Sequence, residues 1–347
     1  MKYGSFKELE KDYEIPYIKG KYRETLDLLE RGIKSLPKEE YDKYLYDIIL
    51  FKAILKSKLK LYNACLDDLT YLIQEGYVCP LNLDSLSEPF AKNEEYIKLR
   101  EKNDSQRRKK QENTKSKWEV LLPQNYNKEK KYPLFISLHG DGDSVEVHKE
   151  YWRPDELLNR GFIVVYLQAS QVVNHNGYAW LKRVFYSQDK KDWSQSEDIY
   201  PLSETSYLIK TCYDWSYDEL KTCYDIIRDK YSIDEKNIII GGFSGGATAA
   251  IDFTMTNPIP IKGFISLSTQ KPKSFNKENI EEALDRGIKG VFMEGEEDVP
   301  VEEVDKMIKE FDKAGVPYKY YINKGIGHWY PEDLNEKLSK AIKFIID

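Results

Sequence analysis

The sequence predicts a mainly parallel α/β sheet covered by helices on both faces, preceded by an all-helical region over residues 1–105. Three observations carry that expectation. From Trp118 onward, apolar β-branched runs alternate with amphipathic helical stretches, the pattern of a parallel sheet with crossover helices. Before Lys102, apolar residues recur at three- and four-residue spacing instead, which is the helical period. Between Ile238 and Ala247, an apolar run stops at Gly242-Phe-Ser244-Gly-Gly246 and small, helix-tolerant residues follow.

At 347 residues the chain is long enough for about two domains. Its 41% hydrophobic and 32% charged residues describe a soluble globular protein, and the net charge of −6 argues against a nucleic-acid ligand. The first sixteen residues hold no apolar core of a signal peptide, and no stretch reaches the length of a bilayer span. The expectation is therefore a cytoplasmic protein with no membrane partner. Cys65, Cys79, Cys212 and Cys223 are scattered, with no C-x-x-C pair, and read as reduced, mostly buried thiols without a disulfide or metal role.

In the helical region, Tyr22, Leu26 and Leu29 mark one face after Gly20. A helix over 40–58 carries Tyr44, Ile48, Phe51 and Leu55, and another over 61–74 carries Ala64, Leu66, Leu69 and Ile73 and ends at Gly76. Residues 84–102 are expected to form one further helical element. Tyr22-x-x-Thr-Leu-x-x-Leu recurs as Tyr62-x-x-Cys-Leu-x-x-Leu, an offset of 40 residues. This pattern resembles tetratricopeptide repeats, although their period is about 34 residues and their signature tryptophan and glycine are missing. Two readings follow: a small bundle that packs with the rest of the chain, or a surface for a protein partner or for self-association. Residues 106–117 are almost free of apolar side chains and read as a solvated linker, with Arg107 to Lys110 its basic cluster.

The third domain element, residues 118–347, is the α/β unit. Its strands are expected at Trp118-Glu-Val-Leu-Leu, Tyr132 to Leu138, Phe162 to Leu167, Asn237 to Gly241, Ile261 to Ser268, Ile288 to Met293 and Pro317 to Ile322. Helices are expected over 151–160, over 217–231 behind a Ser216-x-x-Glu219 capping box, from Ser244 to Thr256, over 301–314 and over 331–347.

A strand that turns sharply into a helix strains the residue at its apex, and glycines at 242 and 246 remove the side chains that would clash with such a turn. Ser244 is left exposed at the carboxyl edge of the sheet. The junction is similar to the nucleophile elbow of α/β-hydrolases. A serine hydroxyl needs a base to take its proton and a carboxylate to orient that base, and in those proteins the chain order is serine, acid, histidine. Of four histidines only His328 follows Ser244, in Lys324-Gly-Ile-Gly-His328-Trp-Tyr just past the last strand, so it is the expected base. The acid is expected in Glu294-Gly-Glu-Glu-Asp298-Val-Pro, with Asp298 preferred and Glu297 the alternative. A tetrahedral intermediate needs two N–H donors, assigned to Gly245 and to Asp141 in the turn after His139-Gly140. That turn is similar to the His-Gly-x-Gly element of esterases but carries Asp141 and Asp143, whose charges would oppose an oxyanion unless the side chains point away. His139 reads as a hydrogen-bonding support under this loop.

Residues 118–347 further resemble the phospholipase/carboxylesterase type of α/β-hydrolase. The resemblance rests on Tyr132-Pro-Leu-Phe-Ile-Ser-Leu-His-Gly, Leu167-Gln-Ala-Ser-Gln, Tyr231-Ser-Ile-Asp with the elbow strand, and Ile261-Lys-Gly-Phe-Ile. It implies hydrolysis of a small-molecule carboxylic ester through an acyl-enzyme, with no cofactor or metal. Two alternatives remain: a serine peptidase or amidase of the same fold, and a partner-binding helical scaffold with a vestigial hydrolase domain. The long connection over 169–215 is rich in aromatic residues, Trp193 and Tyr207 among them, and reads as a lid or pocket wall. Trp180, and Trp329 beside the expected base, are the candidates for substrate contact, while Lys182, Arg183, Lys190 and Lys191 could favour an anionic substrate.

Overall fold

The computed structural model describes residues 3–81, 83–180, 184–185, 199–200, 209–210, 214–298 and 301–347. Two compact units divide the chain. One comprises Met1–Asn113 with Val172–His175 and Phe185–Lys210; the other comprises Thr114–Gln171, Asn176–Val184 and Thr211–Asp347.

Helices α1 (Phe6–Ile18), α2 (Tyr22–Ile33), α3 (Lys38–Lys43), α4 (Leu45–Lys58), α5 (Tyr62–Gln74), α6 (Asp84–Ser87) and α7 (Glu94–Glu112) build the first unit. The recurring Tyr-x-x-x-Leu-x-x-Leu segments begin α2 and α5 at the same point, Tyr22 and Tyr62. Each follows a left-handed residue, Gly20 at φ 69° and Lys60 at φ 60°. The turns close alike, Lys21 N–H on Pro16 O at 2.9 Å and Leu61 N–H on Lys56 O at 2.8 Å. The repeat is thus a repeated helical hairpin, α1–α2 and α4–α5, burying Leu26 and Leu29 in one copy and Leu66 and Leu69 in the other. Helix α1 was not legible in the periodicity, and the helix expected over 40–58 breaks at Tyr44 into α3 and α4.

The segment expected as a linker is helical through Glu112. Asn93 caps α7 by accepting the Tyr96 N–H at 2.9 Å, Glu94 and Glu95 occupy its first turn and Lys109 and Lys110 its last, all favourable to the helix dipole. Polar side chains on this helix bind the backbone of neighbouring segments. Asn103 pairs with both backbone groups of Cys79 at 2.7 and 3.0 Å, and Gln106 Nε2 donates to Ile73 O at 2.8 Å. Within the basic cluster Arg107 is only 7% exposed and Lys110 is half-buried, while Arg108 and Lys109 face solvent. Within the same unit, His175 packs against the Tyr46 and Tyr77 rings and Lys110 Nζ donates to its carbonyl.

The second unit is a seven-stranded sheet of β1 (Lys117–Leu121), β2 (Tyr132–Leu138), β3 (Ile163–Gln168), β4 (Ile233–Phe243), β5 (Gly263–Leu267), β6 (Lys289–Gly295) and β7 (Tyr318–Asn323). The spatial order is β1-β3-β2-β4-β5-β6-β7, with β1 antiparallel to β3 and every other pair parallel. Because successive strand residues face opposite ways, Leu134, Ile136, Ile238 and Ile240 enter one core while Phe135, Val164, Ile239 and Ile265 enter the other. Helices α10 (Asp214–Lys230), α11 (Gly245–Thr256), α12 (Lys277–Asp285) and α13 (Val301–Ala314) accompany these strands, as do the short α8 (Val145–Tyr151) and α9 (Asp155–Asn159) and the terminal α14 (Leu334–Ile346).

Two expectations change here. The helix over 151–160 starts only at Asp155, because Pro154 separates it from an unforeseen α8 whose cap is Ser144. Helix α10 begins at Asp214, so Ser216 and Glu219 do not form a capping box. Ser216 instead donates to Trp180 O, and the Glu219 carboxylate accepts from Ser170 N–H at 3.3 Å and from the Ser170 hydroxyl. No helix among the described residues is long and apolar enough to cross a membrane.

Candidate active site

Ser244 sits between β4 and α11 at φ 53°, ψ −120°, a conformation that a side chain occupies only under strain of about 1–3 kcal/mol. The surroundings impose it. Ser244 N–H donates to Leu267 O at 2.8 Å, and Thr248 N–H returns to Ser244 O at 3.0 Å. A Cβ on Gly242 would lie 2.6 Å from Leu138 O, and one on Gly246 would lie 2.3 Å from His139 O. Both contacts are with backbone, which cannot move aside cheaply. Gly246→Ala should therefore destabilise by at least about 2–3 kcal/mol, read as an earlier urea-unfolding midpoint; an unchanged midpoint would refute this account of the turn.

The structure brings Ser244, His328 and Asp298 together from three separate strand ends. His328 Nε2 lies 2.8 Å from Ser244 Oγ and its Nδ1 lies 2.9 Å from Asp298 Oδ2. An ionised carboxylate only accepts, so these partners assign the proton to Nδ1 and leave the Nε2 lone pair for the serine hydroxyl. The Asp298 side chain is 3% exposed and the His328 side chain 47%. Glu297, the alternative acid, is exposed, and its contribution is a backbone one, N–H to Ile326 O at 3.0 Å.

Asp141 lies beside the start of α11, its carboxyl so close that a Cβ on Gly245 would meet Asp141 Cγ at 2.3 Å. Its Oδ1 accepts the Trp180 N–H at 3.0 Å, so the carboxyl does not turn away from the helix N-terminus, but part of its charge is engaged. Asp143 is half-buried, and burial together with the Asp141 charge pushes its carboxyl up to about 6, with His328 opposing. His139 is fully buried. Its Nε2 accepts from Ala169 N–H at 3.2 Å and its Nδ1 faces Gly140 O at 2.7 Å; burial pulls it down to about 4, so it is a neutral support for the loop.

Trp180 is a correction to the sequence reading. It is fully buried, its indole N–H donates to His139 O at 2.7 Å and its ring packs 5.1 Å from His139. It braces the 139–143 loop from inside the core and has no face to offer a ligand. Trp329 is 39% exposed and packs edge-on to Tyr151 at 5.2 Å. Trp193, Tyr207, Lys182, Arg183, Lys190 and Lys191 lie outside the described residues. A surface cavity of about 440 Å³ bounded by Leu122, Tyr132, Asp155, Leu158 and Gly161 opens at the amino ends of β2 and β3, the sheet edge opposite Ser244. Sequence reasoning missed Glu294, a buried carboxyl in β6 that burial and the Asp298 charge push up to about 9. Its signal was present in the Glu294-Gly-Glu-Glu-Asp298 run, but only the pairing of β6 between β5 and β7 shows that Glu294 is inside as well as Asp298.

Comparison with protein families matches residues 125–346 to the phospholipase/carboxylesterase family. The chain belongs to this family. Its members hydrolyse esters, and this chain is an α/β-hydrolase of that kind preceded by a helical region. Among solved structures, an uncharacterized protein from Bacillus cereus ATCC 10987 is 21% identical over 99% of both chains, with a TM-score of 0.49. A ferulic acid esterase is 20% identical over 67% of this chain and 92% of its own, TM-score 0.47. Esterase PE8 is 20% identical over 67% of this chain and all of its own (100%), TM-score 0.48. Comparison with curated proteins gives no match.

Proposed function

We propose that the chain is a serine carboxylesterase acting on small-molecule esters, with Ser244 as nucleophile, His328 as general base and Asp298 as the group that orients His328. The observation that carries the proposal is the continuous hydrogen-bonded path from Ser244 Oγ through both ring nitrogens of His328 to Asp298, at 2.8 and 2.9 Å. Ser244 Oγ attacks the ester carbonyl carbon while its proton passes to Nε2. The resulting oxyanion takes hydrogen bonds from the N–H groups of Gly245 and Asp141, and these act against the charge of the nearby Asp141 carboxyl, part of which the Trp180 N–H engages. Collapse breaks the bond to the alcohol, which leaves with the proton from Nε2, and a water activated by the same nitrogen then releases the carboxylic acid and frees Ser244. The buried Asp298 carboxylate favours the imidazolium formed in each half-reaction. Trp329, exposed beside the base, supplies an apolar surface for the substrate.

A fluorophosphonate probe tests the proposal directly. Ser244 should be labelled stoichiometrically, identified by peptide mass spectrometry, and short acyl p-nitrophenyl esters should turn over faster than the matching anilides. No labelling at Ser244 would sink the proposal, and faster anilide cleavage would replace the esterase by an amidase or peptidase.

A further inference from the structure

Three buried polar groups close to this site have no part in the steps above. Tyr330, two residues beyond His328, places its hydroxyl 3.0 Å from His148 Nδ1, and His148 Nε2 lies 2.8 Å from Ser137 Oγ. Ser137 and His148 are fully buried and Tyr330 is 7% exposed. They come from three elements: β2, α8 and the loop between β7 and α14. Burial drives the His148 imidazole well below its ordinary value, so the ring is neutral and offers one donor and one acceptor. The chain is consequently directional, and each member is satisfied only while its neighbours are in place.

The His328 loop needs such an anchor. The imidazole is 47% exposed, and its ring packing is against Phe243, at 5.1 Å between centroids. Beyond the bond from Nδ1 to Asp298, its aim at Ser244 is inherited from the backbone that carries it. On one side that backbone is tied to the acid loop, Glu297 N–H to Ile326 O at 3.0 Å and Gly325 N–H to Glu296 Oε2 at 3.0 Å. On the other side the tie is Tyr330. Its ring is stacked on Tyr151 (4.8 Å, 7°) and packed 4.2 Å from Phe243, the residue that also touches His328. The hydroxyl end is fastened through His148 to Ser137, two residues before His139 and the loop that carries Asp141.

We infer that Tyr330 is a positioning residue for His328: its hydrogen bond to His148, anchored on Ser137 in β2, sets the 324–331 loop so that Nε2 faces Ser244. The same path ties the base to the strand that leads into the proposed oxyanion loop. The inference rests on His328 acting as the base.

Tyr330→Phe keeps the stacked ring and removes only the hydroxyl. It should lower kcat on a p-nitrophenyl ester about tenfold with KM unchanged, since small misplacements of a base act on the chemical step. The low-field proton resonance of His328 Nδ1–H bonded to Asp298 should broaden or disappear. His148→Gln should give the same two changes, and the double variant no further loss, because both remove one path. If Tyr330→Phe does not fold, His148→Gln supplies the same readouts. Parental kcat and an intact low-field resonance in either folded variant would overturn the inference, whatever the melting temperature does. A parent enzyme with no ester turnover would instead overturn the proposed function.

Discussion

Ser244→Ala and His328→Ala should each lower kcat by about 10⁵–10⁶-fold, and the double variant should be no slower than either alone. A serine, its base and its orienting acid act as one unit, so removing one member forfeits nearly everything the set contributes. The geometry gives the reason. His328 Nε2 is the acceptor 2.8 Å from Ser244 Oγ, and without it no base is placed to take the hydroxyl proton as Oγ attacks. Asp298→Asn should cost somewhat less, about 10⁴-fold, by favouring the tautomer with its proton on the wrong nitrogen. Steady-state kinetics on one p-nitrophenyl ester, with circular dichroism to confirm folding, decide the matter. A Ser244→Ala protein retaining a tenth of parental activity, or losses that multiply in the double variant, would show that the chemistry lies elsewhere.

Glu294→Gln should stabilise the protein by about 3 kcal/mol at pH 7. Glu294 is fully buried, with Oε1 accepting the Thr269 N–H at 3.1 Å and Oε2 without a partner. Burial first, and the Asp298 charge second, push its carboxyl from an ordinary 4.5 to about 9. At pH 7 the folded chain therefore holds a proton that the unfolded chain releases. The contribution to stability is whole below pH 4.5, falls as pH rises, and is lost once the pH passes about 9. Glutamine keeps the acceptor for Thr269 and does not ionise. The variant should match the parent near pH 4 and exceed it increasingly up to pH 9, in urea melts taken at several pH values. Parallel pH profiles for the two proteins would show that Glu294 ionises normally.

Much of this molecule is legible in its sequence because its signals are local. Apolar runs such as Ile238-Ile-Ile become strands buried on both faces, and a strand turning into a helix around Ser244 admits only glycine at 242 and 246. Chain order singles out His328, since no other histidine follows the serine. Where the outcome depended on partners distant in the chain, local pattern misled. The polar stretch before Asn113 looks like a linker, but Asn103 and Gln106 find backbone partners on neighbouring segments and the helix continues. Trp180 looks like a pocket residue until His139 O is seen to claim its indole N–H.

By itself the sequence determined the alternation of the sheet and the strained apex at Ser244, because backbone sterics and side-chain period act over a few residues, and the chain order of the hydrolases it resembles supplied the candidate acid and base. The tertiary structure alone decided which carboxylate meets His328, that Glu294 is buried while Glu296 and Glu297 are exposed, and that Tyr330, His148 and Ser137 form one chain beneath the base. Those outcomes turn on which groups lose water together. Desolvation and hydrogen bonding are set by atoms from several strands at once, and no single stretch of sequence holds them.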